Sequence, residues 1–210
     1  MRTMTRTRNT SRNSWNFRPA VAVGGLALSA ALLATLFSDR VGPLIRIRAA
    51  VADATPVPAL LAVGSPAPDF TAVAHDGQKV ELSKLKGKWV VLYFYPKDDT
   101  TGCTKEACDF RDNWTTLQKK GVAVFGVSTQ DNTSHKAFAS KYSLPFPLLP
   151  DDKGDLAGKY KVPLMGGLAR RITYLIGKDG KIAHVWPTVN PVGHATEILA
   201  QIEPTAAKAN

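Results

Sequence analysis

The sequence predicts an α/β fold with a mixed central sheet flanked by helices and preceded by an N-terminal apolar segment. Two continuous apolar, β-rich runs, Trp89–Tyr95 and Val122–Val127, are separated by a segment of helical period. Such a strand–helix–strand crossover makes a parallel pair buried on both faces. A late pair of runs, Arg171–Ile176 and Lys181–Trp186, meets at Lys178-Asp179-Gly180, and its turn chemistry adds antiparallel strands.

Taken along the chain, Asp69–Ala74 and Lys79–Leu82 flank His75-Asp76-Gly77-Gln78 and read as a hairpin. Lys105–Lys120 reads as one helix, because Ala107, Phe110, Trp114 and Leu117 form an apolar stripe. Thr133–Tyr142 is expected to be helical with Asn132 or Thr133 as cap. Asp155–Tyr160 is a short helical piece, and His194–Ile202 closes the chain with a helix. The order β-β-β-α-β-α-(α)-β-β-α is that of thioredoxin-like folds, whose site lies beyond the carboxyl end of the central strand, here Tyr95-Pro96.

Three regions are expected: a basic leader over 1–48, a linker over 49–62 and the folded body over 63–205. Residues 1–18 hold five arginines and no acid, and the uncharged run Ala20–Phe37 follows. Eighteen helical residues rise about 27 Å, near the thickness of a bilayer's hydrocarbon core. The arginine excess ahead of this run favours a single-span membrane anchor, with the body outside the cytoplasm on the periplasmic side of a bacterium. A cleaved export signal and an organellar targeting peptide are the alternatives.

Of the net charge of +10, residues 1–60 contribute +6 and residues 61–210 +4. The body has no basic run interleaved with aromatics, which argues against nucleic-acid binding. His75, His135, His184 and His194 are scattered singly and do not suggest a metal site.

The chain has two cysteines, Cys103 and Cys108. Cys103 falls at a helix start, where unpaired N–H groups and the macrodipole favour an anion, and the thiolate is the nucleophilic form of the side chain. The competing reading is a small buried hydrophobe. Thr100 can offer a hydroxyl to the sulfur, and Pro96, lacking an N–H, can wall it from water. Five residues of ideal helix put the two Cα atoms roughly 8.6 Å apart, beyond the ~7 Å a disulfide tolerates. A bond between these sulfurs therefore requires the helix start to unwind, which describes a redox switch and not a staple. Taken alone, Cys108 also fits an ordinary buried helix cysteine. Four intervening residues exclude the Cys-x-x-Cys of a disulfide oxidoreductase.

Pro96, Thr100 and Cys103 form Pro-x-x-x-Thr-x-x-Cys, which resembles the active-site signature of peroxiredoxins. YFYPKDDT-x-GCTKEACDFRD resembles the peroxiredoxin Q, or bacterioferritin co-migratory protein, subfamily. The likeness runs from about Val63 to Ile202 and includes GSPAPDFTA, SHKAFASKYSLPFPLLPD, RRITYLIGKDGKI and GHATEIL. The resemblance implies that Cys103 is the peroxidatic and Cys108 the resolving cysteine. Thr100 and the N–H groups of Gly102 and Cys103 would hold the peroxide oxygens. Arg171 matches the family's active-site arginine; a solvated surface charge is the plainer reading, and suits Arg170 better. A hydroperoxide substrate, thioredoxin or a similar dithiol as reductant, no cofactor and a monomer are implied too. A non-enzymatic redox sensor or disulfide relay on the same fold is the alternative function. Position 101 is Thr where the subfamily usually has Pro.

Overall fold

The structure is a computed structural model that describes residues 59–207, with side chains as far as Ile202. A five-stranded sheet has the order β5-β4-β3-β8-β9, with β3 (Trp89–Phe94) at its centre, β4 (Val122–Ser128) and β5 (Leu148–Pro150) on one side and β8 (Ile172–Ile176) and β9 (Ile182–Trp186) on the other. β3 runs parallel to β4 and antiparallel to β8, as the crossover and the late hairpin predict. The first hairpin, β1 (Thr71–Val73) with β2 (Lys79–Glu81), pairs antiparallel as a separate two-stranded sheet.

Every residue of β3 is buried. Its alternate side chains feed two cores: Val90, Leu92 and Phe94 face one, while Trp89, Val91 and Tyr93 face the other. A strand covered on both faces needs no polar positions, which is why WVVLYF reads as an unbroken apolar run. The first core also takes Leu156 and Ala157 of α4 (Asp155–Lys159) and, from the described start of the chain, Leu60 and Leu61. The second is closed by α1 (Thr101–Asp112), α2 (Trp114–Lys119), α3 (Asn132–Tyr142) and α5 (His194–Ala207).

Four features differ from the sequence reading. The helix expected over Lys105–Lys120 begins at Thr101 and breaks at Asn113. There the Asn113 amide donates to the Asp109 carbonyl at 2.9 Å, the local competition with the helix ladder that asparagine is prone to. The cap of α3 is Asp131, one residue ahead of the expected pair, and it accepts from the Ser134 N–H at 2.8 Å. β5 carries no strand signal in the sequence; it is three residues long and contains Pro150, which an edge strand tolerates. The fourth is the hairpin of β6 (Leu164–Met165) and β7 (Leu168–Ala169), turned by Gly166 and Gly167 at φ 58 and 80. A two-residue turn with both φ positive suits glycine, and it carries Met165 and Leu168 to the cleft described below.

The register sets up the site. Ile172 pairs with Phe94, so the start of β8 and the end of β3 lie side by side. Arg171, just ahead of β8, is thereby brought beside the loop that leaves β3.

Candidate active site

The loop from β3 to α1 is fixed by its acids. Asp98 is 7% exposed; its Oδ1 accepts from the Tyr95 hydroxyl at 2.7 Å and its Oδ2 from Ser134 Oγ at 2.6 Å. The same Oδ2 lies 2.9 Å from His135 Nδ1. Burial alone would raise the Asp98 carboxyl, but His135, Ser134 and Tyr95 together hold it below its ordinary range. Asp99 takes a left-handed backbone, φ 57, and its carboxylate accepts from Lys141 Nζ at 2.6 Å and from the Tyr142 hydroxyl at 2.5 Å. Both ends of α3 thus grip the loop that carries Pro96 and Thr100.

Thr100 is the extended residue that caps α1; its Oγ1 donates back to the Lys97 carbonyl at 3.1 Å, and its own carbonyl accepts from the Thr104 N–H. Thr101 occupies the first helical position, where proline would also fit, so the departure from the subfamily pattern falls where the helix starts regardless. Cys103 sits in the first turn, 1% exposed. Arg171 reaches it: Nη2 donates to Cys103 Sγ at 3.2 Å, while Nη1 pairs with Glu106 Oε2. Gly102 allows this approach, since a Cβ there would lie 3.1 Å from Arg171 Nη2. Cys108 is half-buried, and both cysteines are free thiols. Because α1 runs unbroken past both, the ideal-helix separation of roughly 8.6 Å applies and their bonding requires unwinding.

Against Arg171 lies a cleft of about 410 Å³, with Pro96 and Arg171 facing Met165, Leu168, Pro187 and Val189. The structure therefore brings Pro96 and Arg171 to one wall and Arg171, Gly102 and Cys103 to one point. It turns the Thr100 hydroxyl back into its own loop.

Glu106 was missed by the sequence reading. It is fully buried, with Oε1 unpartnered, and lies on the same inward stripe as Cys103, Ala107 and Phe110. A charge on an apolar stripe, three residues after a candidate nucleophile, was the available signal. Burial, partly offset by Arg171, raises its carboxyl from its ordinary 4.5 to about 7. The native chain then keeps a proton that the unfolded chain releases at lower pH. Stability from this group is present below about 4.5 and is lost as pH rises through about 7. Glu106→Gln removes that slope. Urea unfolding of variant and wild type at pH 5 and pH 8 checks it: the variant should gain on the wild type by on the order of 2 kcal/mol at the higher pH.

The AhpC/TSA family model matches residues 63–185. A Coxiella burnetii protein named as a peroxiredoxin bcp is 45% identical over 153 residues, 67% of this chain and 97% of that one. The chloroplastic peroxiredoxin Q of Triticum aestivum is 47% identical over 143 residues, 67% of this chain and 66% of its own. Among solved structures, the bacterioferritin comigratory protein of Xanthomonas campestris, described for its alkyl peroxide reduction activity, superposes with a TM-score of 0.64 at 31% identity, covering 69% of this chain and 99% of that one. These likenesses give the described residues a thioredoxin-like peroxiredoxin fold.

The expected membrane anchor, with the body outside the cytoplasm, is corrected by these comparisons. The relatives are named as a bcp protein and as chloroplastic peroxiredoxins, and none of these names describes a membrane anchor. Among the described residues no helix is long and apolar enough to cross a membrane. The run Ala20–Phe37 itself lies outside the described residues. A family match across 63–185, joined to 45% identity over almost the whole of one relative, establishes that this chain belongs to the AhpC/TSA family, as a thiol-dependent peroxidase of the peroxiredoxin Q/bcp type.

Proposed function

We propose that Cys103 reduces hydrogen peroxide and organic hydroperoxides and is regenerated through a disulfide with Cys108. The Cys103 thiolate attacks the terminal oxygen of the hydroperoxide. An S–O bond forms and the O–O bond breaks, giving sulfenic acid and an alkoxide or hydroxide that leaves with a proton as alcohol or water. The Cys108 thiol then displaces the sulfenic hydroxyl as water, and the new S–S bond is reduced by exchange with a dithiol protein of the thioredoxin type.

The observation that carries this reading is the Arg171 guanidinium, which donates to Cys103 Sγ at 3.2 Å. There it stabilises the thiolate and, as the O–O bond lengthens, the oxygen taking up negative charge. In the same reading Thr100 and the N–H groups of Gly102 and Cys103 receive the peroxide oxygens. That requires the Thr100 hydroxyl to turn from the Lys97 carbonyl toward the substrate, a tightening that catalytic hydrogen bonds often undergo on binding. Pro96 lines the cleft against Arg171, which in this reading is the approach for the peroxide.

Peptide mapping after one equivalent of peroxide, with free thiols blocked under non-reducing conditions, tests the proposal. A single cross-linked peptide containing Cys103 and Cys108 is expected. Recovery of both thiols in the blocked, free form refutes it.

A further inference from the structure

Disulfide closure, on the two-cysteine reading above, draws residues out of α1, and the tethers of that helix mark where the loosening ends. Ahead of it, Asp98 and Asp99 hold the loop to α3. Between Thr101 and Cys108, the polar side-chain links to the rest of the fold are those of Cys103 and Glu106, and both go to Arg171. Oxidation of the sulfur changes the acceptor of one of those links.

A second set of tethers begins at the next residue. Asp109 Oδ1 accepts the Gly193 N–H at 3.2 Å, and Oδ2 accepts the Ala195 N–H at 2.7 Å. These are donors at the start of α5, so a side chain on one helix caps another. Phe110 is fully buried, its ring 4.8 Å from that of Tyr93, and Arg111 Nη1 donates to the Tyr142 carbonyl at 2.9 Å. Three successive residues after Cys108 are thus each fastened to a different element.

We infer that Asp109 is a positioning residue for disulfide closure: by fastening the residue after Cys108 to the start of α5, it fixes that end of α1, confines unwinding to Thr101–Cys108 and makes Cys103 the sulfur that travels. The geometry permits it. The Cα separation has only to fall from roughly 8.6 Å to below ~7 Å, which one unwound turn supplies without disturbing anything past Cys108. A resolving thiol held in place also presents itself at a high effective concentration to the arriving sulfenic acid.

Hydrogen exchange read by mass spectrometry, on the full chain in its reduced and peroxide-oxidised forms, tests this in wild type and Asp109→Asn. The variant is isosteric and loses one of the two acceptors. In oxidised wild type, amides of residues 101–108 should exchange at least about tenfold faster, with 110–112 and 193–199 unchanged. In oxidised Asp109→Asn, 193–199 should quicken about fivefold. Disulfide closure should slow severalfold with more sulfinic acid formed, while sulfenic acid forms at the wild-type rate. Loss of protection at 193–199 on oxidising the wild type overturns the inference, as does closure at the wild-type rate in the variant. Absence of any Cys103–Cys108 disulfide in the wild type overturns the two-cysteine reading itself, and this inference with it; the mass of the oxidised protein tells the cases apart.

Discussion

Cys103→Ser should reduce peroxide-dependent oxidation of a thioredoxin-type donor to background, a loss of at least about a thousandfold. The serine fits the same buried seat and its oxygen can still face Arg171, so the fold is not in question. In the proposed mechanism the attack on peroxide needs a thiolate, a nucleophile with charge to share that a serine hydroxyl does not replace. Cys108→Ser gives the contrasting result. Its first turnover should match the wild type, since sulfenic acid forms before the second sulfur takes part. With nothing to condense against, the oxidised Cys103 should then climb to sulfinic acid under excess peroxide. A coupled assay for the donor and intact mass for the oxidised sulfur separate the two. Sustained turnover by Cys103→Ser would leave the assignment without support.

Arg171→Met should lower the rate constant for sulfenic acid formation by about a hundred- to a thousandfold, the scale on which a single oriented donor at developing charge contributes. Its guanidinium bridges Cys103 Sγ and Glu106 Oε2 with two nitrogens of one rigid fork. A lysine offers one compact ammonium, so Arg171→Lys should recover only part of the loss. The substitution also strips the buried Glu106 of its counter-charge, which costs stability. Rate and stability can be told apart by adding Glu106→Leu. The double variant should regain much of the urea midpoint and none of the rate. Recovery of rate would mean that Arg171 matters only as a partner for Glu106.

The parts of this molecule that the sequence disclosed are those in which one physical signal acts alone. The run Trp89–Tyr95 declares a doubly covered strand, and Gly180 within its turn declares the β8–β9 hairpin. Arg171 was legible because it heads that hairpin and matches a motif. β5 was hidden because Pro145, Pro147 and Pro150 make its neighbourhood read as loop, and only the edge of a sheet tolerates them. β6 and β7 are too short for any period to register. The break at Asn113 left the apolar stripe running through it, so the stripe could not reveal it. In the site, Cys103 and Pro96 stood out by residue type and position, and Gly102 only through the resemblance. Glu106 looked like a solvated helix charge until Arg171 was placed beside it. The contact of Asp98 with His135 spans 37 positions, and the fastening of Asp109 to Ala195 spans 86. No local pattern carries such pairings, because they exist only once helices have settled on the sheet.

Arg171 lies 68 positions beyond the sulfur it touches, and it arrives there only when β8 aligns against β3. A chain emerging from the ribosome therefore presents Cys103 before the guanidinium that touches it has been synthesised. Until the sheet closes, the thiol has no partner to make it selective for peroxide over any other electrophile. On the proposed mechanism, swift reaction with peroxide therefore waits for the closed sheet.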